Sequence, residues 1–396
     1  MLTLAARMLF GTTPRILGSF LWNFGVKGAR TVRRFKREQR NGGRFPAFVF
    51  ISVTNDCNLR CQGCWVTRTD PPVSMDAATL DRLIRQSKSH DRHFFGILGG
   101  EPLLHQGLLD VLAGHPDCYF QLFTNGTLLT PEIGRALRRL GNVTPLISVE
   151  GLDVVSDQRR GGVNVYERAM AGIEVCRANR LIVGVATSVC KSNFRDVVTE
   201  SFLRDMVRRG VHYAWYYIYR PTGANPTPKL ALTSDDVIAL RRFLVQVRSR
   251  VPLMVVDAYW DENGRAFCPA AAGLSHHVGP GGDVEACPPI QFATTNVKDF
   301  PDTADAFEQS ELLSRFRTAA TELSRGCILL EHPGALLRLA DETRAKSTSG
   351  RHSGRRELAA MQPLPSHHFP GKEIPETNAF YRFAKRHVFF GFGAYG

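Results

Sequence analysis

The sequence predicts an α/β fold in which a parallel sheet is flanked by helices and followed by a small cysteine-containing C-terminal extension. Three observations predict it. Strand-like apolar runs alternate with segments of helical spacing between residues 46 and 250, a three-cysteine loop follows the first strand, and a second cysteine set begins only after residue 250. With 396 residues the chain is long enough for more than one domain, and 43% hydrophobic residues is ordinary for a globular protein.

Residues 1–45 read as a basic amphipathic arm. Ile16, Leu17, Phe20, Leu21 and Phe24 fall on one face at helical spacing, and Lys27, Arg30, Arg33, Arg34, Lys36 and Arg37 follow directly. Such a stripe suits either the surface of an anionic membrane or a helix packed on the sheet with a solvated basic face. Arg7, Pro14 and Arg15 interrupt the first apolar stretch and no small-residue cleavage site follows it. No run reaches the roughly 18 apolar residues that span a bilayer. The net charge of +13 sits at the two ends, with ten Lys/Arg against Glu38 in residues 1–44 and nine against five acids in residues 341–396. The body between them is neutral, so nucleic acid is not the favoured substrate.

The core, residues 46–250, offers strands at Ala47–Val53, Phe94–Leu98, Tyr119–Phe123, Leu146–Val149, Leu181–Val189 and Tyr213–Tyr219. Helical segments lie between them near 76–89, 105–114, 131–140, 164–179 and 196–209, and another follows near 234–249. Six βα repeats imply a parallel sheet with its functional groups at the carboxyl ends of the strands. Residues 251–342 form the extension. Residues 343–376, rich in Ser, Gly, Arg and Pro, read as a flexible linker ahead of an aromatic tail from Phe380 to Tyr395.

The first strand runs into Asp56-Cys57-Asn58-Leu59-Arg60-Cys61-Gln62-Gly63-Cys64-Trp65, a C-x3-C-x2-C spacing. Three thiolates leaving one loop can hold three irons of a cubane and leave the fourth open, whereas an electron carrier takes four cysteines and structural zinc takes paired C-x2-C halves. Gly99-Gly100-Glu101-Pro102 follows the second strand. With these two motifs the chain resembles the radical S-adenosylmethionine (SAM) superfamily. The resemblance implies a partial (β/α)6 barrel and a [4Fe-4S] cluster on Cys57, Cys61 and Cys64. SAM would be chelated by its amino and carboxylate groups to the open iron, with Gly99, Gly100, Glu101 and Pro102 binding the amino group. A one-electron reductant of flavodoxin or ferredoxin type would drive cleavage of SAM to a 5′-deoxyadenosyl radical that abstracts hydrogen from, or adds to, a substrate. In relatives the residue before the last cysteine is usually an aromatic that packs near the adenine. Here it is Gly63, with Trp65 one place beyond, so either Trp65 or backbone meets the adenine.

Further strand-end residues match positions that contact the ribose and carboxylate of SAM in relatives: Ser148, Glu150, Ser188 and Arg160, the last in the Asp157–Gly161 stretch. Each also suits a helix cap or a turn. In the extension, Gly282–Cys287 reads as a hairpin whose second strand delivers a cysteine. It is similar to the G-x4-C element of SPASM and twitch extensions, which implies a second [4Fe-4S] cluster on Cys268, Cys287 and Cys327. Its fourth ligand is open among His276, His277, Cys190 and a substrate atom, and a zinc site on the three cysteines with His276 or His277 is the alternative. His276 and His277 equally suit a surface Gly/Pro loop. Cys118 and Cys176 read as buried apolar residues. A low-potential cluster needs a reducing compartment, so the expected location is cytoplasmic, or peripheral on the inner face of the membrane where the arm binds it.

The rival reading is an iron–sulfur binding or electron-transfer protein without catalysis, which would have no use for Gly99–Pro102 or the strand-end polar groups. Within the enzyme reading, the extension points by resemblance to peptide or protein modification, and the arm to a membrane lipid.

Overall fold

The computed structural model describes residues 2–257 and 259–387. The arm comprises α1 (Leu2–Gly11), α2 (Pro14–Ser19), a π-helical stretch over Phe20–Val26, and α3 (Lys27–Arg40). Nine strands then build one sheet: β1 (Phe48–Ser52), β2 (Phe94–Leu98), β3 (Tyr119–Thr124), β4 (Val143–Ser148), β5 (Gly184–Val189), β6 (Tyr213–Ile218), β7 (Met254–Asp257), β8 (Ser275–Val278) and β9 (Val284–Glu285). Their order is β7-β6-β5-β4-β3-β2-β1-β8-β9. Every pair from β7 to β8 is parallel, and β8 with β9 is antiparallel.

Parallel neighbours cannot be joined by a tight turn, so each step from β1 to β7 crosses over through helix. The crossovers are α4 (Ala77–Ser89), α5 (Leu108–Ala113), α6 (Pro131–Leu140), α7 (Asp153–Arg160) with α8 (Val165–Ala178), α9 (Phe194–Val197) with α10 (Glu200–Arg208), and α11 (Ser234–Val247). Local chemistry sets their ends. The side chains of Asp76, Thr130 and Thr233 cap the N-termini of α4, α6 and α11, the last in a reciprocal box with Asp236. Left-handed Gly141 and Gly161 close α6 and α7. Strand side chains divide by alternation: Val49, Ile51, Phe95 and Ile97 join the helix-side core, while Phe48, Phe50, Phe94 and Tyr119 fill the inside of the curved sheet.

The amino ends of the strands are closed by the arm. Phe20 and Phe24 stack on each other and meet Tyr119 and Phe94 edge-on. Arg7 donates to the carbonyls of Val207, Val211 and Pro252, and Asn23 donates to that of Pro116. The arm is therefore packed on the barrel, but its outer side leaves Leu9, Phe10, Leu21, Trp22 and Val26 exposed. Among the described residues no helix is long and apolar enough to cross a membrane.

The extension differs from its sequence reading at the histidine pair. His276 and His277 lie on a buried parallel strand, β8, not on a surface loop. His277 bridges Ser52 Oγ (2.7 Å) and the Glu285 carboxylate (2.6 Å), while His276 Nδ1 meets the Ala286 carbonyl at 3.1 Å and its Nε2 has no partner. The expected hairpin is β8–β9, with Cys287 two residues past its end. Beyond it come β10 (Phe292–Ala293), α12 (Thr303–Glu308), α13 (Glu311–Leu323), α14 (Ile328–Glu331) and α15 (Pro333–Glu342).

Residues 343–376 are packed, not a free linker. They carry β11 (Lys346–Ser347), paired with β10, and α16 (Gly354–Ala360), and they bury Leu358, Ser366, His367 and Glu376. The chain continues into α17 (Ala379–His387), and the aromatic stretch past 387 lies outside the described residues. Helix α17 covers the open edge strand, where the Tyr381 hydroxyl accepts from the Val255 amide at 2.7 Å. Beside it a fully buried ionic cluster joins Arg241, Arg248 and Lys385 to Asp257 and Glu376. Burial alone would raise the Asp257 carboxyl, but Lys385, Arg248 and Arg241 outweigh it and hold it far below the carboxylate range. Burial draws the Lys385 ammonium down to about 8, with Asp257 opposing. Asp257→Asn should cost about 3–5 kcal/mol in urea unfolding, because it leaves buried cations facing one carboxylate. A loss below about 1 kcal/mol would show that the cluster does not anchor α17.

Candidate active site

The carboxyl ends of the strands hold two adjoining cavities. One, of about 460 Å³, is lined by Cys57, Cys61, Cys64, Gly99, Gly100, Ser148 and Arg160. The other, central to the barrel mouth and about 300 Å³, also touches Cys61, Cys64, Ser148 and Arg160, and adds Glu150, Ser188, Cys268, Cys287 and Cys327. Both cysteine sets therefore open on connected space.

The cysteine loop is held from every side by backbone. Gly100 N donates to Thr54 O and Glu101 N to Asp56 O, each at 2.8 Å, while Gln62 N reaches Arg159 O and Gly63 N reaches Asn225 O at 2.9 Å. A Cβ on Gly100 would lie 2.1 Å from Asp56 O, and one on Gly99, whose φ is +151°, would lie 2.5 Å from Thr54 O. The two glycines thus permit close approach to the cysteine loop itself. Asn125 Nδ2 donates to Asn58 Oδ1 at 2.8 Å, adding a side-chain tie from the turn after β3.

Glu101 is fully buried, and neither cavity reaches it. Its carboxylate accepts from Thr124 Oγ1 (2.8 Å), Asn125 N (2.7 Å) and Leu103 N (3.2 Å). Burial raises its pKa and these bonds counter the rise. Pro102 opens the short 3-10 turn that follows. Glu150 is also buried and raised by burial; it accepts from Ser188 N at 3.1 Å and lies 3.7 Å from Arg159. Arg160 lines both cavities, and its Nε is buried without a hydrogen-bond partner. Burial opposes its charge, but Cys61, Glu150, Cys57 and Cys64 outweigh it and raise the pKa.

Burial pushes the Cys57 thiol up and the Cys64 thiol to about 12, so a ligand that takes thiolates must displace protons here. In the second set, burial pushes Cys268 to about 11 and raises Cys287 further. Arg220 reaches among them, its Nε donating to Cys327 Sγ at 3.3 Å. Of the fourth-ligand candidates, His277 has both ring nitrogens engaged, and Cys190 lies outside the cavity with its sulfur on Ser192 Oγ. His276 lines the cavity and its Nε2 has no partner. Among the described residues, three metal-ligand atoms fall within 4.8 Å of one another only at His93, Asp117 and Cys118. A zinc ion with bonds of about 2.3 Å needs sulfurs closer than that. Neither cysteine set brings three sulfurs within 4.8 Å of one another.

Arg159, Tyr219 and Arg220 were not singled out from sequence. A Cβ on Gly63 would fall 2.1 Å from Tyr219 Oη, so the ring from the end of β6 fills the space that a side chain at 63 would take. The Arg159 guanidinium lies over that ring, 4.7 Å from its centroid. For Tyr219 and Arg220 the position just past β6 was the available signal; Arg159 lies in the last turn of α7, next to Arg160.

Residues 51–197, from β1 into α9, match the radical SAM superfamily. The chain carries a radical SAM domain. Its relatives include the AdoMet-dependent heme synthase of Methanosarcina barkeri, 30% identical over 183 residues, covering 45% of this chain and 52% of that protein. Another is the sporulation killing factor maturation protein SkfB of Bacillus subtilis, 28% identical over 155 residues, 38% of each chain. The chain thus spans about half or less of the length of these relatives. Streptococcus suis SuiB bound to S-adenosylmethionine shares the fold with a TM-score of 0.61 at 16% identity, over 72% of this chain and 71% of that one. The enzyme anSMEcpe with bound AdoMet shares it with a TM-score of 0.54 at 15% identity, over 68% and 82%. The cofactors of the superfamily are a [4Fe-4S] cluster and SAM, and the radical SAM domain here contains the donor set they require: three thiols on one cavity beside an unpaired guanidinium nitrogen.

Gly100→Ala should loosen the cysteine loop while sparing the sheet. Alkylation of Cys57 in the metal-free protein should then speed up by about tenfold or more, since about 1.4 kcal/mol of lost loop stability is a factor of ten. An unchanged alkylation rate would mean that the glycine contact does not hold the loop.

Proposed function

We propose that the protein is a radical SAM enzyme whose Cys57, Cys61 and Cys64 hold a [4Fe-4S] cluster with one iron open to SAM. The observation that carries this reading is the convergence of the three thiols, the Gly99–Gly100 backbone and the unpartnered Arg160 on one cavity. When bound, the cluster and SAM supply a 5′-deoxyadenosyl radical on one-electron reduction by a flavodoxin- or ferredoxin-type partner. The chain's own residues position and enclose. The backbone at Gly99 and Gly100 faces the SAM amino group, and Arg160 with Ser148 takes its carboxylate. Glu150, fixed by Ser188 N and Arg159, faces the ribose side. Glu101 acts at one remove, tying the turn after β3 to the glycine loop through three hydrogen bonds. Tyr219 stands where the missing aromatic beside Cys64 would be.

A second cluster on Cys268, Cys287 and Cys327, with His276 Nε2 as fourth ligand, is the reading that the spread of the thiols and the Arg220 charge support. The similar proteins differ in what they act on: SkfB is a maturation protein of sporulation killing factor, the Methanosarcina barkeri protein is a heme synthase, and the structural neighbour SuiB was solved with its precursor peptide. Replacing Cys57, Cys61 and Cys64 with alanine should abolish 5′-deoxyadenosine formation from SAM and dithionite. Replacing Cys268, Cys287 and Cys327 instead should lower iron from about eight to about four per chain. Undiminished deoxyadenosine in the first variant would overturn the enzyme reading, and four irons with stoichiometric zinc in the unmutated protein would overturn the second cluster.

The partner surface proposed for the arm is an anionic membrane. Exposed Leu9, Phe10, Leu21, Trp22 and Val26 sit beside exposed Arg15, Arg30, Arg33 and Arg37, a pairing of apolar anchors and cations that suits acidic lipid. Because this face lies at the amino ends of the strands, docking there turns the active site away from the bilayer. The protein should sediment with phosphatidylserine vesicles and release in high salt, each Lys/Arg contributing about 1 kcal/mol at the surface. Phe10→Ser with Trp22→Ser should abolish sedimentation, and equal sedimentation of that variant would remove the arm as the anchor.

A further inference from the structure

Past Trp65 the central cavity adjoins a third space of about 270 Å³, between the barrel mouth and residues 349–364. Trp65, Thr222, Pro289 and Ile290 line both, so the two adjoin across these residues. The wall is mostly apolar. Pro221, Pro226, Pro228 and Pro289 have no amide hydrogen, and Leu336, Leu358 and Met361 supply hydrocarbon.

Thr222, Gln291, Ser349 and Gln362 add polar groups to that wall, and Arg351 is its cation. Arg351 lines the cavity and forks onto the Glu357 carboxylate through Nε (2.7 Å) and Nη2 (2.8 Å), so its charge is matched. Its Nη1 is buried with no acceptor. A donor left unpaired on an apolar wall is a place for a ligand oxygen. A peptide would bring an N–H and a C=O at nearly every residue, and a wall that is mostly hydrocarbon would leave most of them unpaired. A carboxylate would be drawn by Arg351 but repelled by Glu357 beside it.

We propose that the substrate is a neutral, largely apolar molecule bearing one oxygen acceptor. Its oxygen pairs with Arg351 Nη1, its body occupies the outer cavity, and its reacting end extends past Trp65 into the central one. For the reaction this rests on the radical SAM reading; for binding it stands on the cavity alone.

The test uses full-length, metal-free protein and Prodan, a neutral naphthyl ketone whose emission shifts to the blue in apolar surroundings. Prodan should bind saturably with a blue shift, and more tightly than the anionic dye 1-anilinonaphthalene-8-sulfonate. Leu358→Trp and Met361→Trp, which fill the outer cavity, should each weaken binding about tenfold or more. Met361 is only half-buried, so its variant reports even if the Leu358 variant unfolds. Arg351→Met should weaken Prodan binding and erase the preference over the anionic dye. The Cys57/Cys61/Cys64 alanine variant should bind Prodan as the wild type does, which separates failure of this proposal from failure of the enzyme reading. Absence of saturable binding, equal binding by the tryptophan variants, or tighter binding of the anionic dye would overturn it.

Discussion

The site depends on one steric constraint: two glycines let the loop after β2 lie directly against the loop after β1. With Gly100 so near Asp56 O that a methyl group would stand 2.1 Å away, the amides of Gly100 and Glu101 extend strand-like pairing past the sheet and into the cysteine loop. A loop of this kind would otherwise be mobile. Here its course is set by the strands beneath it, and the thiols inherit that order. Glu101 carries the constraint one strand further by fastening Thr124 and Asn125, and Asn125 returns to Asn58. The motif is thus a fastening of three consecutive strand ends.

Much of this was legible, and the reason is local. Strands β2 and β6 and helices α4, α6 and α11 declare themselves by apolar spacing within a dozen residues, as the fold shows to within a residue or two for β2 and α6. The cysteine spacing and the Gly-Gly-Glu-Pro run are equally local. What sequence did not reveal depends on distant partners. Ser275-His276-His277-Val278 has no apolar alternation, because its polarity is paid for by Ser52, Glu285 and Ala286. Residues 343–376 have the composition of a linker, yet Glu376 is drawn in by Arg248 and Ser366 by the Gly326–Cys327 turn. The bonds that Glu101 accepts from Thr124 and Asn125 come from the next strand, beyond a local reading. Tyr219 could not be matched to Gly63 from sequence, since 156 positions of chain separate them.

The distribution of charge has a structural logic. The arm and α17 seal the amino ends and the open edge, so the excess of cations at the chain termini ends up on the side and floor of the barrel. The mouth keeps its own cations, Arg159, Arg160 and Arg220, against few anions. Glu150 lies 3.7 Å from Arg159, Arg220 rests on a thiol, and Arg160 makes no ion pair among the described residues.

Buried guanidinium groups without counter-charge are costly, and a protein retains them where something anionic completes the site. Protonated thiols do not suffice, because burial holds Cys64 and Cys268 neutral near pH 7. Thiolate-ligated clusters would bring the missing negative charge to both ends of the central cavity at once, and the SAM carboxylate would bring more to Arg160. Glu150 already faces Arg159 and Arg160, and binding of cofactors would be linked to stability in the usual way: each ligand that binds only the folded state adds to it. The apolar outer cavity is the complement of this arrangement. Its charges are Arg351 and Glu357, which are matched to each other, whereas the cations of the mouth face the cysteines.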